Sequence, residues 1–227
     1  MYYLQPSMYN LPSRNVRDQN EENILKVLGE GSVATTPTMS TITLGVISEN
    51  NELTQAQEEN NQRTNRVIQS LLGIGITQQN IKTVDYRIEI LYDYENSKQT
   101  LRGYRVIHML QITTPSINQT GTIVDTAIKS GANTVTSIEF SVQNLDSFYN
   151  QALTLALTNA QSKANALSMK LGVQLQKIPI KIQELSQTPP PIPFQAKLLA
   201  VSEAATPIQP GELKISATIE AHFLFFM

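Results

Sequence analysis

The chain has 227 residues, enough to bury a sizeable core in one domain or in two closely packed lobes. Its formal net charge of −2 gives no general attraction to nucleic acid or to an anionic membrane surface, so we expect no nucleic-acid partner. The absence of cysteine excludes disulfides, thiolate metal ligands and a cysteine nucleophile. No run approaches the roughly 18 apolar residues that a transmembrane helix requires, so we predict no transmembrane segment.

The first stretch of the chain, residues 1–23, is polar and lacks apolar periodicity, which predicts a flexible N-terminal tail. Its tyrosines Tyr2, Tyr3 and Tyr9 offer one way to dock on a neighbouring subunit. The stretch lacks the basic start and the apolar segment of an export signal, which favours a cytoplasmic location.

The first strand is predicted at residues 24–28, and Gly29-Glu30-Gly31 is expected to end it. Two glycines around an acid are one feature of a phosphate-binding loop. No Lys-Ser/Thr pair follows, however, and no helix begins there. The motif therefore does not predict a nucleotide site.

Alternation and helical periodicity next predict a strand, a helix and an antiparallel hairpin. The strand covers residues 38–48, and the helix covers residues 54–72 with capping-box spacing at its start. The hairpin joins strands at 83–94 and 103–113 through a polar loop. Its first strand places five apolar or aromatic residues on one face: Val84, Tyr86, Ile88, Ile90 and Tyr92.

The centre of the chain combines a helix, a glycine stop and a strand. Thr114 and Pro115 suit the N-cap and the first position of a helix that Gly131 ends. In the strand that follows, apolar and polar residues alternate, and Phe140 lies on the apolar face. This pattern predicts a sheet with one face exposed to solvent. We interpret Asn133 as a turn residue, and a site residue is the alternative.

The longest helix is predicted from Asn144, a suitable N-cap, to Leu171, and Gly172 is its stop. One face of this helix carries a stripe with alanine in the middle, so the element that packs on it is expected to approach closely. The stripe comprises Phe148, Ala152, Ala156, Ala160, Ala164, Leu167 and Leu171.

The last part of the chain contains two further predicted strands and the segment between them. The strands cover residues 174–185 and 212–226, and residues 187–211 form a proline-rich arm that is long for a loop in a compact domain. The first of these strands places three isoleucines on one face: Ile178, Ile180 and Ile182.

Two strand-helix-strand units echo each other, since each helix closes with Leu-Gly and an aliphatic residue (Leu72-Gly73-Ile74 and Leu171-Gly172-Val173). We therefore predict an α+β fold of duplicated β-α-β units that share one sheet system. Its largely antiparallel sheets pack against helices, including one long helix at about 145–171. The domain covers residues 24–227, and a division into two lobes at about 24–113 and 114–227 is considered.

An ordered set of short motifs resembles one known family, the SIMPL-domain (YggE-like) family, a domain of unknown function. The resemblance covers about residues 24–226 and implies an α/β fold with antiparallel sheet and packed helices, oligomerisation and a link to stress tolerance in bacteria. Many relatives carry an export signal, so the resemblance implies export or envelope association as the alternative to a cytoplasmic location. The family has no agreed catalytic residues. The motifs are Gly29-Glu30-Gly31, Leu44-Gly45-Val46, Gly103-Tyr104, Asp125, Gly131-Ala132-Asn133 with Ile138 and Phe140, Ala160 with Lys163-Ala164, Leu171-Gly172 and Pro210-Gly211.

The sequence predicts no catalytic, cofactor-binding or metal-binding residue, and no cofactor. The two histidines, His108 and His222, lack nearby paired acids, which makes a weak case for zinc, and His108 is expected to be a satisfied core or interface residue. Acids near the end of the hairpin are expected to pair across strands with Arg102 and Arg105. The residues assigned structural or assembly roles are Gly131, Asn133, Phe140, Ala156, Ala160, Ala164 and Gly172.

Two functional hypotheses follow. The first is a non-enzymatic structural or interaction protein of this family that self-assembles as a homo-oligomer, with a link to stress tolerance implied by the resemblance. The alternative is a module that binds a small ligand or acts in envelope stress, with a pocket between sheet and helices and a ligand that the sequence does not identify. An enzyme is the third choice.

Overall fold

The computed structural model describes residues 23–95, 98–185, 192–193 and 206–227. Nearly all of the predicted tail and most of the predicted proline-rich arm lie outside these residues. The elements in chain order are β1 (Ile24–Thr35), β2 (Met39–Asn50), α1 (Leu53–Gly73), β3 (Ile81–Glu95), β4 (Lys98–Thr114), α2 (Thr120–Ser130), β5 (Thr134–Ser141), α3 (Leu145–Leu171), β6 (Gln174–Leu175), β7 (Lys181–Glu184), β8 (Ile192–Pro193) and β9 (Leu213–Phe226).

The first sheet has the strand order β3-β4-β2-β5, and every neighbouring pair is antiparallel. Helices α1 and α2 pack on one face of it, where β2 and β4 place branched apolar side chains. Burial of these side chains from water is the main force that holds the helices on the sheet. The fully buried residues of this core include Ile42, Leu44, Val67, Leu71, Ile112 and Ile123.

The second sheet is centred on β9, which pairs with β1 along one edge and with the short strands β6, β7 and β8 along the other. As the alternation predicted, β9 directs one set of residues into a core beneath α3. These buried residues are Leu213, Ile215, Ala217, Ile219, Ala221 and Phe223.

The predicted α+β class, the antiparallel sheets and the long helix at 145–171 are confirmed. The expectation that both strand-helix-strand units share one sheet system is wrong, because β5 pairs in the first sheet and β6 and β7 pair in the second. Each sheet also takes strands from both predicted lobes, since β1 pairs with β9 and β2 pairs with β5.

Several element boundaries differ from the prediction. Strand β1 continues through Gly29-Glu30-Gly31 to Thr35, because β9 pairs with it along its whole length. Helix α2 begins at Thr120 after a single 3-10 turn, and Thr114 is the last residue of β4. The strand predicted at 174–185 is two short strands, β6 and β7, and the side chains of its three isoleucines are about half exposed or more.

The alanine stripe of α3 is confirmed in its middle and at Phe148, which packs against the core, and is wrong at its C-terminal end. Leu167 and Leu171 are exposed, whereas Tyr149 and Ser168 are buried. A straight helix advances 3.6 residues per turn, so a stripe extended by fours and threes drifts around the helix surface. Asn144 occupies the N-cap position as predicted, but its side chain makes no capping hydrogen bond.

Candidate assembly surface

The seven residues assigned structural or assembly roles do not form one site. Gly131 and Gly172 are the C-caps of α2 and α3, and both have positive φ angles, 123° and 72°, that favour glycine. Phe140 is half-buried on β5. The three alanines are fully buried against the second sheet and serve packing within the chain: Ala156, Ala160 and Ala164.

The close approach predicted for the alanine stripe occurs at β1, where the partner residues are Gly29 and Gly31, which the sequence did not predict. A Cβ atom placed on Gly29 would lie 2.1 Å from the carbonyl oxygen of Ala156 and 2.8 Å from the Cβ of Ala160. A Cβ on Gly31 would lie 2.1 Å from the carbonyl oxygen of Ala152. The Gly-Glu-Gly motif therefore accommodates the helix backbone, and its spacing of two, which places both glycines on one face, was the available signal.

Asn133 acts as a turn residue that also extends the pairing of β5 with β2. Its side-chain amide accepts a hydrogen bond from the backbone N–H of Ile47 and donates one to the carbonyl of Ile47, each at 2.8 Å. Its own backbone N–H donates to the carbonyl of Gly45 at 3.0 Å. Asparagine supplies both a donor and an acceptor in the spacing of a peptide group, which explains the residue type.

A group of neighbouring apolar side chains that the described residues leave partly exposed lies on the β3–β4 hairpin. Helix α1 packs on β2 and β4, and β3 extends beyond it as the outer strand of the sheet. The side chains along one face of β3 are between 39% and 74% exposed. We call this surface the hairpin face, and it consists of Tyr86, Ile88, Ile90, Tyr92 and Tyr94 with Leu101 on β4.

The opposite face of the hairpin carries a network of ion pairs. Arg105 contacts both Glu49, at 2.7 Å, and Glu89, at 3.4 Å, and Arg87 contacts Asp85 and Glu89 at 3.1 and 3.0 Å. The predicted pairing of Arg105 with a hairpin acid is confirmed, whereas Arg102 pairs with Glu49 of β2. One face of the hairpin is therefore suited to water and the other to an apolar partner.

His108 lies where the hairpin face meets the covered part of the sheet. Its Nε2 atom is 3.0 Å from the hydroxyl of Thr83, and its ring packs edge-on against Tyr86 at a centroid distance of 5.2 Å. Burial lowers the pKa of His108, because the charged ring loses water. Its Nδ1 atom is buried without a hydrogen-bond partner within the described residues, so the expectation of a satisfied histidine is wrong for this atom.

His222 lies on the face of the second sheet opposite α3 and is 2.6 Å from the carboxylate of Glu220. This hydrogen bond lowers the pKa of Glu220. Among the described residues, no group of three or more His, Asp or Glu side chains is arranged to hold a metal ion. The described helices also include none that is long and apolar enough to cross a membrane.

An open cleft of about 480 Å³ separates the outer surfaces of α1 and α2. The residues that line it have polar or basic side chains, although most of the exposed lining surface comes from their apolar atoms. The lining residues are Asn65, Arg66 and Gln69 of α1 and Lys129 and Ser130 of α2.

Comparison with known proteins identifies the family of this chain. The family model described as SIMPL, a protein of unknown function (DUF541), matches residues 25–223. The chain belongs to the SIMPL family. The resemblance seen in the short motifs is thereby confirmed.

Several relatives of this SIMPL protein come from bacteria. The 26 kDa periplasmic immunogenic proteins of Brucella melitensis and Brucella abortus are each 27% identical to it over 209 residues, which cover 88% of this chain and 83% of the relative. The uncharacterized protein YggE of Escherichia coli is 27% identical over 148 residues, which cover 63% of this chain and 60% of YggE. These relatives give no support to the predicted cytoplasmic location.

Proposed function

We propose that this SIMPL protein is a non-enzymatic structural or interaction protein that assembles with copies of itself through the β3–β4 hairpin. The observation that carries the proposal is the hairpin face, an apolar surface next to a strand edge that no other described strand pairs with. Exposed contiguous apolar surface of this kind is typical of a protein contact, because monomers rarely leave it in water.

The size of the hairpin face supports a stable contact. Its six exposed side chains present on the order of 600 Å² of surface, close to the ~800 Å² that each partner buries in a standard interface. Its composition of tyrosine and isoleucine is also favourable, since aromatic residues are enriched at the centres of interfaces and charged residues are depleted there.

Light scattering after size-exclusion chromatography tests the proposal. We expect the native chain to elute above the mass of a monomer and Ile90→Lys to elute as a folded monomer, because a lysine there places a charge in the contact. Met169→Lys is the matched control, since Met169 is an exposed apolar residue on α3 and 82% of its surface is accessible. A native chain that is monomeric at every concentration, or an Ile90→Lys variant of unchanged mass, contradicts the proposal.

We further propose that the protein works in the cell envelope and contributes to stress tolerance. The support is that Brucella relatives aligned over most of both chains are named periplasmic. Fractionation of the native host is expected to recover the protein outside the cytoplasm, and deletion of its coding sequence is expected to lower survival under envelope stress. Ile90→Lys is expected to fail to restore survival, and full rescue by this variant contradicts a role for the assembly.

A second candidate function is the binding of a small anionic ligand in the cleft between α1 and α2. It is favoured by Arg66 and Lys129, which line the cleft and form no ion pair within the described residues. A panel of small phosphates and carboxylates is expected to raise the melting temperature of the native chain but not that of Arg66→Ala. Arg63→Ala, on the same helix, is the control, and an equal response from Arg66→Ala contradicts a site in the cleft.

A further inference from the structure

The outer edge of β3 has the features of a strand that pairs with its own copy. Within the described residues, β3 pairs only with β4, so the backbone groups of its other edge face away from the sheet. Such groups template the addition of another strand, and natural proteins protect edges with charges or bulges. β3 carries one bulge, at Val84, so its regular stretch covers residues 85–91, between the two register shifts of the hairpin. The charges on β3 alternate in sign along the strand instead of sharing one sign, since Asp85, Arg87 and Glu89 occupy successive positions on one face.

We propose that two copies pair antiparallel along β3, about a two-fold axis at Ile88, so that the two first sheets form one continuous sheet. This inference rests on the proposed self-assembly and specifies its contact. Ile88 is the middle residue of the regular stretch of β3, residues 85–91, so this register pairs that whole stretch. A two-fold axis makes the contact self-complementary, which is the commonest arrangement of homodimers.

The register about Ile88 matches both faces of the strand. On the hairpin face, Ile88 lies opposite Ile88 of the second copy, and Tyr86 lies opposite Ile90. On the charged face, Arg87 lies opposite Glu89, and this pair occurs twice by symmetry, while Asp85 lies opposite Leu91 at the ends of the paired stretch. Opposite charges directly across an antiparallel pair stabilise it, and like charges destabilise it.

Neighbouring registers are less favourable for the same residues. An axis at Arg87 places Arg87 opposite itself and Asp85 opposite Glu89. An axis at Glu89 places two glutamates opposite each other and removes the pairing of Arg87 with Glu89. A shift of one pairing position sets apolar residues against charged ones, because side chains alternate between the faces.

Paired in this way, the hairpin faces of two copies join into one apolar surface twice as wide. The side chains of Tyr86, Ile88 and Ile90 cover part of one another across the new pair, since directly opposed Cβ atoms lie ~5 Å apart. The joined surface remains available for contact between pairs.

Charge reversal tests the register, because two variants that each repel themselves complement each other. Arg87→Glu places the introduced glutamate opposite Glu89, and Glu89→Arg places the introduced arginine opposite Arg87. We expect each variant alone to self-associate about tenfold or more weakly than the native chain. A mixture of the two is expected to restore assembly, since both cross-strand pairs are then of opposite charge.

Disulfide cross-linking provides an independent measurement, and the chain has no native cysteine to interfere. Ile88→Cys is expected to form a covalent dimer on oxidation, which reductant reverses, because the two residues lie opposite each other at the axis. Met169→Cys, exposed on α3, is the control and is expected to remain largely unlinked.

The outcomes separate this inference from the proposed function. A native chain that is monomeric at every concentration overturns both. A native chain that assembles, with charge variants of unchanged mass and Ile88→Cys linking no faster than Met169→Cys, overturns the β3 pairing and leaves assembly through the hairpin face in place. Loss of assembly in both charge variants with recovery in their mixture establishes the register.

Discussion

Two glycines on β1 determine how closely α3 lies on the second sheet. Each faces the helix, and a Cβ at either position would overlap backbone atoms of α3. Backbone atoms move less readily than the end of a side chain, so the helix as a whole would have to shift. The alanines opposite them complete this close contact, and Lys163 and Asn159 of α3 add hydrogen bonds to the edge of β1 at Leu28 and Glu30.

Gly31→Ala is predicted to destabilise the protein. Its Cβ would lie 2.1 Å from the carbonyl oxygen of Ala152 and 2.5 Å from the backbone nitrogen of Ala156, so we expect the free energy of unfolding to fall by about 3 kcal/mol. Urea denaturation measures this change.

Gly73→Ala is the matched control for Gly31→Ala, because no atom lies within 4 Å of its added Cβ. We expect the free energy of unfolding of this variant to stay within about 1 kcal/mol of the native value or to rise, since alanine restricts the unfolded chain. Equal effects of the two substitutions would show that the contact between β1 and α3 is not tight.

At the scale of elements, the segment that leads into β9 is hydrogen-bonded to α2, one of the helices that pack on the first sheet. Thr206 donates its backbone N–H to Asp125 at 3.1 Å and its hydroxyl to the same carboxylate at 2.5 Å. Ile208 packs against the first core. The contact links the start of the central strand of one sheet to a helix that covers the other.

This contact is predicted to weaken in acid. The hydrogen bonds from Thr206 lower the pKa of Asp125 below its ordinary value of 3.8. A carboxyl group whose pKa is lower in the folded state stabilises the fold above that ordinary value, and the contribution is lost as the pH falls through the folded pKa. We therefore expect Asp125→Ala to lower the melting temperature at neutral pH, and the difference from the native chain to shrink below pH 3.8.

Glu139→Ala removes another exposed carboxylate, on β5, and is the control for this pH series. We expect its melting temperature to follow that of the native chain at each pH. A difference between Asp125→Ala and the native chain that stays constant from neutral to acidic pH would contradict the proposed contact.

The prediction of elements from the sequence succeeded where a periodic pattern and a stop residue agreed. Helix α3 is the clearest case, because its alanine stripe and Gly172 define both its face and its end. The length of β1 was underestimated, because glycine ordinarily interrupts a strand, whereas here its missing side chain is what the helix requires. That requirement depends on a helix more than a hundred residues later in the chain, which no local pattern reveals.

For a related reason, the sequence predicted which residues share the hairpin face but not that this face is exposed. Alternation placed Tyr86, Ile88 and Ile90 on one face of a strand, and the structure confirms that placement. A pattern does not indicate which element covers a face, however, and an apolar face predicts burial equally in a core and at an interface. The partial exposure of these residues follows from α1 packing mainly over β2 and β4, while its contact with β3 includes a hydrogen bond from the Gln57 side chain to the hydroxyl of Tyr86.

At the scale of the whole molecule, strands from the beginning and the end of the chain pair with each other. Strand β1 near the start pairs with β9 near the end over twelve residues, from Ile24 with Leu224 to Thr35 with Leu213. Strand β5, from the second half, completes the first sheet beside β2. The two sheets are therefore distinct but are not separate segments of sequence, so neither half of the chain contains a complete sheet and its helices.

Separate expression of residues 23–113 and 114–227 tests this organisation. We expect neither fragment to unfold cooperatively, because the first lacks β5 and α2, which complete the first core, and the second lacks β1, which fills the edge of the second sheet. Co-expression is expected to yield a soluble complex with native-like circular dichroism, since every strand pair is then available. A single cooperative melting transition from either fragment alone would show that the halves are independent domains.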